Sequence, residues 1–323
     1  MSDLGHVLVL AGGLSYEREV SLRSGRRVSE VLRAAGIDVE ARDTDASLVP
    51  SILADPPDAV FVTLHGGAGE DGAIRSVLEL LDVPYVGADP DACRVAFDKP
   101  TAKAVVRSVG LRTPSSITLP KETFHDLGAT AVLERIVDQL RLPLFVKPAR
   151  GGSALGASIV RTAEELPAAM VGCFAYGDIA LIERYVEGVE VAVSVVDVGD
   201  GPVALPAVEI VPDEGVYDYA ARYTAGHTEF FAPARLSPAA AAACAETAVT
   251  AHTALGLRDI SRTDLIVDAT DTPYFLEVNV APGMTETSLL PMAAEAAGQD
   301  LGDLCRALLQ NAANRPRTNL ANR

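Results

Sequence analysis

The chain has 323 residues, 49% apolar and 22% charged, a composition that suits a globular protein of two or three domains with ample material for a core. A formal net charge of −17 argues against a nucleic-acid or anionic-membrane partner, both of which want basic patches, and requires any site for an anionic phosphate to be locally positive. No run approaches the ~18 apolar residues of a membrane span, and the opening MSDLGHVLVLAGG lacks the basic region and cleavage site of a leader, so a cytoplasmic location is expected.

In chain order, His6–Ala11 is a short apolar run ending in Gly12-Gly13, the pattern of a buried strand entering a tight loop. Ser21–Ala35 then carries Val28, Val31 and Leu32 at helical spacing. Strand and helix patterns continue through Ala59–Leu64, Ala73–Leu81 and Pro84–Val86, which predicts an α/β unit with a parallel sheet up to about residue 95. Ligands bind such sheets beyond the carboxyl ends of the strands, here the loops after Leu10 and Leu64. A second unit opens with a helix from Lys99 to about Val109. In it, LFVKPA and ASIVR read as an antiparallel hairpin joined by a glycine-rich tip.

A third unit is expected from about Ile179, with strands at Ala180–Tyr185, Val189–Val198 and Ala207–Val211, then a long polar loop, Asp213–Phe231. Loops of that length inside a compact domain are usually functional or disordered. The alanine-rich helix Pro238–Leu255, the strand pair Ile260–Val267 and Tyr274–Val280, and C-terminal helices follow. The four cysteines, Cys93, Cys173, Cys244 and Cys305, form no CxxC pair and read as reduced, mostly buried thiols.

Two stretches carry chemistry. In RTDLIVDATDTPYFLEVN, the turn-forming ATDTP separates two alternating runs. Residues at i and i+2 share a face, so Arg262 pairs with Asp264 on one strand and Glu277 with Asn279 on the other. Leu265, Val267, Leu276, Val278 and Val280 are expected on the opposite faces. A half-buried hairpin with a solvated polar face would show the same pattern. Two carboxylates and a carboxamide without histidine or cysteine are, however, the hard oxygen donors that Mg²⁺ prefers. The second stretch is KPARGGSALG, Lys147–Gly156. It is neither a Walker loop nor a GxGxxG fingerprint. By itself it fits a surface hairpin. With Lys99, Lys147 and the carboxylate pair it supplies the parts of a phosphoryl-transfer site built without a Walker loop.

These segments, with AGGLSYEREVSL, LHGGAGEDGAIRSVLELLDVPYVGAD, FDK, YDYAARY and LEVNVAPGMTETSLLP, in this order over nearly the whole chain, resemble the D-alanine–D-alanine ligase family of the ATP-grasp superfamily. The resemblance implies an α/β (α+β) architecture: an ATP-grasp fold preceded by a parallel-sheet, pre-ATP-grasp domain. Its units would be an N-terminal substrate-binding domain at 1–96, a central subdomain with the phosphate loop at 97–180, and a C-terminal subdomain with the magnesium and oxyanion site at 181–323. It implies an ADP-forming ligase that joins two D-alanines using ATP and two Mg²⁺ ions, for which Mn²⁺ can substitute, with a homodimer as the assembly; the alternative is a related ATP-grasp ligase or cyclase acting on another D-amino or D-hydroxy acid, in antibiotic biosynthesis or resistance.

It also implies residue roles. Glu17 would orient the amine of the first D-alanine, with His65 nearby, and Ser153 and Tyr223 would hydrogen-bond with Glu17 and close the site. Lys99, Lys147, Ser153, Glu183, Tyr185, Val186, Glu190 and Arg222 would bind ATP, with Leu276 under the adenine. Asp264, Glu277 and Asn279 would hold the metal ions, Arg262 and the Gly283 backbone would stabilise the oxyanion, and Ser288 and Leu289 would bind the second substrate. Read without the resemblance, Ser288 fits equally well as the N-cap of a following helix. The chain departs from the family pattern at Ala154, where a second serine is usual, and at Arg222, where lysine is usual.

Overall fold

The structure, a computed structural model, describes residues 4–213 and 228–316. The first unit runs β1 (His6–Leu10), α1 (Arg18–Ala34), β2 (Asp38–Arg42), α2 (Leu48–Ala54), β3 (Ala59–Val62), α3 (Ala73–Leu80), β4 (Tyr85–Val86) and α4 (Pro90–Phe97). Its strands form a parallel sheet of order β2-β1-β3-β4, as the alternation predicts. β1 and β3 are covered on both faces, which is why they read as unbroken apolar runs. The loops leaving their carboxyl ends carry Glu17 and His65. α1 begins at Arg18, one turn before the Ser21 at which the apolar spacing starts.

The second unit contains α5 (Lys99–Ser108), β5 (Ser116–Pro120), α6 (Lys121–Leu127), α7 (Ala129–Leu140), β6 (Leu144–Pro148), β7 (Ser158–Val160), α8 (Leu166–Phe174) and β8 (Ile179–Arg184). Asp98 caps α5, accepting from the Thr101 N–H at 3.0 Å, so the helix starts at Lys99 itself. The hairpin β6–β7 is antiparallel, Leu144 opposite Val160 and Val146 opposite Ser158, as expected. The sheet order is β5-β8-β6-β7. Here the structure corrects the sequence reading: the strand expected to open the third unit is β8, paired on both edges within this sheet. The division expected between residues 180 and 181 therefore cuts a strand. Alternation identifies a strand but not the sheet that takes it.

The third unit contains β9 (Val189–Val196), β10 (Val203–Ala204), β11 (Val208–Pro212), β12 (Thr228–Phe231), α9 (Pro238–Ala254), β13 (Ile260–Val267), β14 (Pro273–Asn279), α10 (Leu289–Ala296) and α11 (Leu301–Asn314). Its antiparallel sheet has the order β12-β11-β9-β13-β14, with β10 on β9. The small residues Ala240, Cys244, Ala248 and Ala251 of α9 pack on Val191, Val193, Leu265 and Phe275 of this sheet. α11 returns to the first unit, where Leu304, Cys305, Leu308 and Leu309 share one apolar core with Val7, Val28, Leu32 and Phe61. All four cysteines are buried and free, as expected. Among the described residues, no helix is long and apolar enough to cross a membrane.

Candidate functional site

The β13–β14 hairpin sets Arg262 opposite Asn279 and Asp264 opposite Glu277. Between Asp264 and Leu265 the register shifts, because Leu265 faces Phe275 and Leu276 is an extra residue in β14. This bulge overturns one expectation. Leu276 does not take the core face; Phe275 does, fully buried, and Leu276 lines the same cleft as Asp264 and Glu277. The Arg262 guanidinium grips Asp264 with both arms, Nε to Oδ1 at 2.7 Å and Nη2 to Oδ2 at 2.8 Å. Asn279 Oδ1 accepts from the Ala281 N–H at 2.7 Å and shapes the entry to the Pro-Gly loop. At Gly283 an added Cβ would lie 2.6 Å from Ser288 Oγ, so only glycine permits this approach. Ser288 occupies the N-cap position of α10 but makes no capping bond; its Oγ accepts from the Thr285 N–H at 3.0 Å.

Beside the hairpin stands a ladder of alternating charge. Lys147 Nζ is 2.9 Å from Glu183 Oε2 and 3.9 Å from Glu277 Oε2, while Lys99 Nζ is 3.7 Å from Glu277 Oε2 and donates to the Gly151 carbonyl at 2.6 Å. Burial pulls on both ammonium groups. It wins at Lys99, whose pKa is lowered, and loses at Lys147, where Glu183 and Glu277 raise it. Burial would likewise raise Glu183, but Lys147 and Lys103 hold it below the usual carboxylate range.

The first of two clefts, ≈ 970 Å³, opens over this ladder and is lined by Lys99, Lys147, Glu183, Tyr185, Val186, Glu190, Asp264, Leu276 and Glu277. Phe145, Ile159 and Ile266 add apolar wall. That mixture of buried charge and apolar wall suits a ligand with an anionic end and a flat apolar end, as a nucleotide has.

The second cleft, ≈ 1560 Å³, adjoins the first along Lys99, Gly151, Gly152 and Glu277. It gathers Glu17, His65, Ser153, Arg262, Asn279, Gly283, Ser288 and Leu289. Ser153 Oγ donates to Glu17 Oε1 and so ties the glycine loop to the first unit. The loop comes this close because Gly152 lacks a Cβ, which would sit 3.1 Å from both Glu17 carboxylate oxygens. Ser153 and Ala154 hold φ of +54° and +55°, left-handed values that a non-glycine residue adopts at a cost.

His65 is buried with Nε2 3.1 Å from Ser24 Oγ, and burial keeps its pKa below the ordinary histidine value against the pull of Glu17. Thus Ser153 lines the second cleft and not the first, while Tyr223 and Arg222 lie outside the described residues.

Sequence reasoning missed two groups. Lys103 lies one turn beyond Lys99 on the same helix, a spacing that could have identified it, and pairs with Glu183. Glu70 lines the second cleft, its pKa raised to about 7 by burial and then by Glu17; nothing in its local sequence distinguishes it from a surface carboxylate.

Comparison with known proteins accords with this architecture. A family model described as D-ala D-ala ligase C-terminus matches residues 105–310, and one described as D-ala D-ala ligase N-terminus matches residues 40–88. The D-alanine–D-alanine ligase of Anaeromyxobacter dehalogenans (strain 2CP-C) is 43% identical over 309 residues, 95% of this chain and 96% of that protein. Among solved structures, the VanG D-Ala:D-Ser ligase of Enterococcus faecalis superposes with a TM-score of 0.82 at 28% identity, covering 96% of this chain and 100% of that one. The D-alanine–D-alanine ligase of Bacillus anthracis complexed with ATP superposes with a TM-score of 0.76 at 28% identity, covering 95% and 96%. The two antiparallel sheets behind a parallel-sheet domain are accordingly the ATP-grasp arrangement expected. With both family models matched and close relatives aligned end to end, the chain belongs to the D-alanine–D-alanine ligase family.

Proposed function

We propose that the protein is an ATP-dependent ligase that joins two D-alanines into D-alanyl-D-alanine, a peptidoglycan precursor. The observation that carries this reading is the meeting of two clefts at Lys99, Gly152 and Glu277: one with buried ammonium groups beside an apolar wall, the other carrying Glu17, Arg262 and Ser288. The ATP-bound relative supports nucleotide use.

In the proposed reaction the carboxylate of the first D-alanine attacks the γ-phosphorus of ATP, and the bond to ADP breaks. The amine of the second then attacks the acyl phosphate carbonyl, loses its proton, and expels inorganic phosphate. No protein nucleophile takes part; the chain positions reactants and neutralises charge. Lys99 and Lys147 face the phosphates, Tyr185, Val186 and Glu190 bound the nucleoside end, and Leu276 packs under the base. Glu17, held by Ser153, orients the first ammonium group beside His65. Arg262 and the Gly283 backbone stand where the tetrahedral oxyanion develops, and Ser288 and Leu289 receive the second substrate.

The donor set fits Mg²⁺. Asp264 and Glu277 are register partners, and Asn279 lies on the same face two residues on. These three residues would hold the ions, which when bound would supply charge neutralisation to the phosphoryl group.

The test is a coupled ADP-release assay followed by mass spectrometry, with equal D-alanine, D-serine and D-lactate near neutral pH. D-Alanyl-D-alanine is expected as the dominant product. A major D-alanyl-D-lactate or D-alanyl-D-serine peak would overturn the substrate assignment, and ATP binding without D-alanine-dependent ADP release would overturn the reaction.

A further inference from the structure

Glu183 is a carboxylate almost without water, 2% exposed, on β8 at the floor of the first cleft. Two ammonium groups occupy its two oxygens: Lys147 of β6 at 2.9 Å from Oε2, and Lys103 of α5 paired with Oε1. Lys103 is itself fully buried, and its Nζ is further fixed by Thr113 Oγ1 at 2.6 Å and the Phe275 carbonyl at 3.4 Å. Unlike Lys99 and Lys147, it lines neither cleft. Of its polar partners Glu183, Thr113 and Phe275, Glu183 is the one that lines a cleft.

Burying an ammonium group this deeply is costly. Desolvation pushes the Lys103 pKa down to about 8, against the pull of Glu183. An apolar side chain of similar length would serve packing alone. What the ammonium adds is charge. Lys103, Lys147 and Glu183 together carry one net positive charge, and Lys99 with Glu277 carries none. Without Lys103 the ladder becomes neutral and Lys147 becomes the only counter-ion bonded to a buried carboxylate. A phosphate arriving at Lys147 would then compete with Glu183 for one ammonium group.

We propose that Lys103 is a positioning residue for phosphate binding: by sharing the charge of Glu183 it fixes Lys147 and leaves the positive charge of that lysine available to the nucleotide. The proposal rests on the reading that the first cleft takes ATP.

The experiment measures initial rates for the full chain with ATP and D-alanine varied in turn, in Lys103→Met, Glu183→Gln, the double variant and Lys147→Met. Loss of one nearby charge at an effective dielectric of ~20 is expected to raise the KM for ATP roughly tenfold in Lys103→Met, with the KM for D-alanine changed by less than about twofold. The double variant is expected to have an ATP KM no higher than Glu183→Gln, because the carboxylate charge leaves together with its partner. An unchanged ATP KM in Lys103→Met, an equal rise for both substrates, or additive losses in the double variant would each overturn the proposal. If Lys103→Met does not fold, the comparison of Glu183→Gln with the double variant decides: equal ATP KM values support the role, and a further rise in the double variant overturns it. Lys147→Met separates the two levels. An unchanged ATP KM there sinks the nucleotide reading and the proposal with it; a raised value there beside an unchanged Lys103→Met sinks the role of Lys103 alone.

Discussion

Replacing Ser153 by alanine removes one hydroxyl and keeps the Cβ. Ser153 sits at φ +54°, and alanine meets the same backbone cost there, so the conformational term nearly cancels between the two. Among the described contacts, what is lost is the bond from Oγ to the Glu17 carboxylate, made by a residue only 6% exposed. A hydrogen bond to a charged group contributes ~1.5–3 kcal/mol, which corresponds to roughly 10- to 150-fold in an equilibrium or rate. Glu17 is the proposed holder of the first D-alanine ammonium, so the loss is expected in kcat/KM for D-alanine. The KM for ATP should stay within about twofold, because Ser153 lines the second cleft and not the nucleotide cleft. The assay is coupled ADP release with D-alanine varied at saturating ATP, then the reverse. A D-alanine kcat/KM within about twofold of the unaltered protein would refute the link between the loop and Glu17. A rise confined to the KM for ATP would move the serine to the nucleotide side.

Glu277→Gln leaves Lys99 and Lys147, now 3.7 and 3.9 Å from Glu277 Oε2, facing a neutral amide and removes a proposed metal ligand. Turnover should fall by at least ~100-fold while the circular-dichroism spectrum is retained; near-normal turnover in a folded variant rejects the assignment. Glu70 offers a test by pH. Its carboxyl titrates near 4.5 when unfolded and at about 7 when folded, because burial and then Glu17 disfavour its charge. The folded state binds the extra proton between those values, so this group makes stability fall as pH rises from about 4.5 to about 7. In Glu70→Gln the unfolding midpoint, relative to the unaltered protein, should therefore rise between pH 5 and pH 8, and a constant difference would refute the burial argument.

The chain's local chemistry determined a good part of this protein. Alternation of apolar runs with helical spacing marked the parallel sheet, since both signals need only neighbours along the chain. The ATDTP turn between alternating runs marked the hairpin, and the period of two put Arg262 with Asp264 and Glu277 with Asn279 on shared faces; the register that sets Asp264 opposite Glu277 came from the folded sheet. Tertiary structure decided the rest. Whether β8 joins the second or the third sheet depends on which edges await it. The Leu276 bulge reverses a face that strict alternation assigns, since the extra residue lets Phe275 take the core side and puts Leu276 beside Glu277 on the cleft side. α11 buries its apolar stripe on a sheet more than two hundred residues away. Glu17 meets Ser153 across 136 residues, and Lys103 meets Glu183 from another element. Short-range patterning sets which residues form helix or strand. Only packing brings charges distant in the chain within reach of each other, and burial then sets the charge each of them carries.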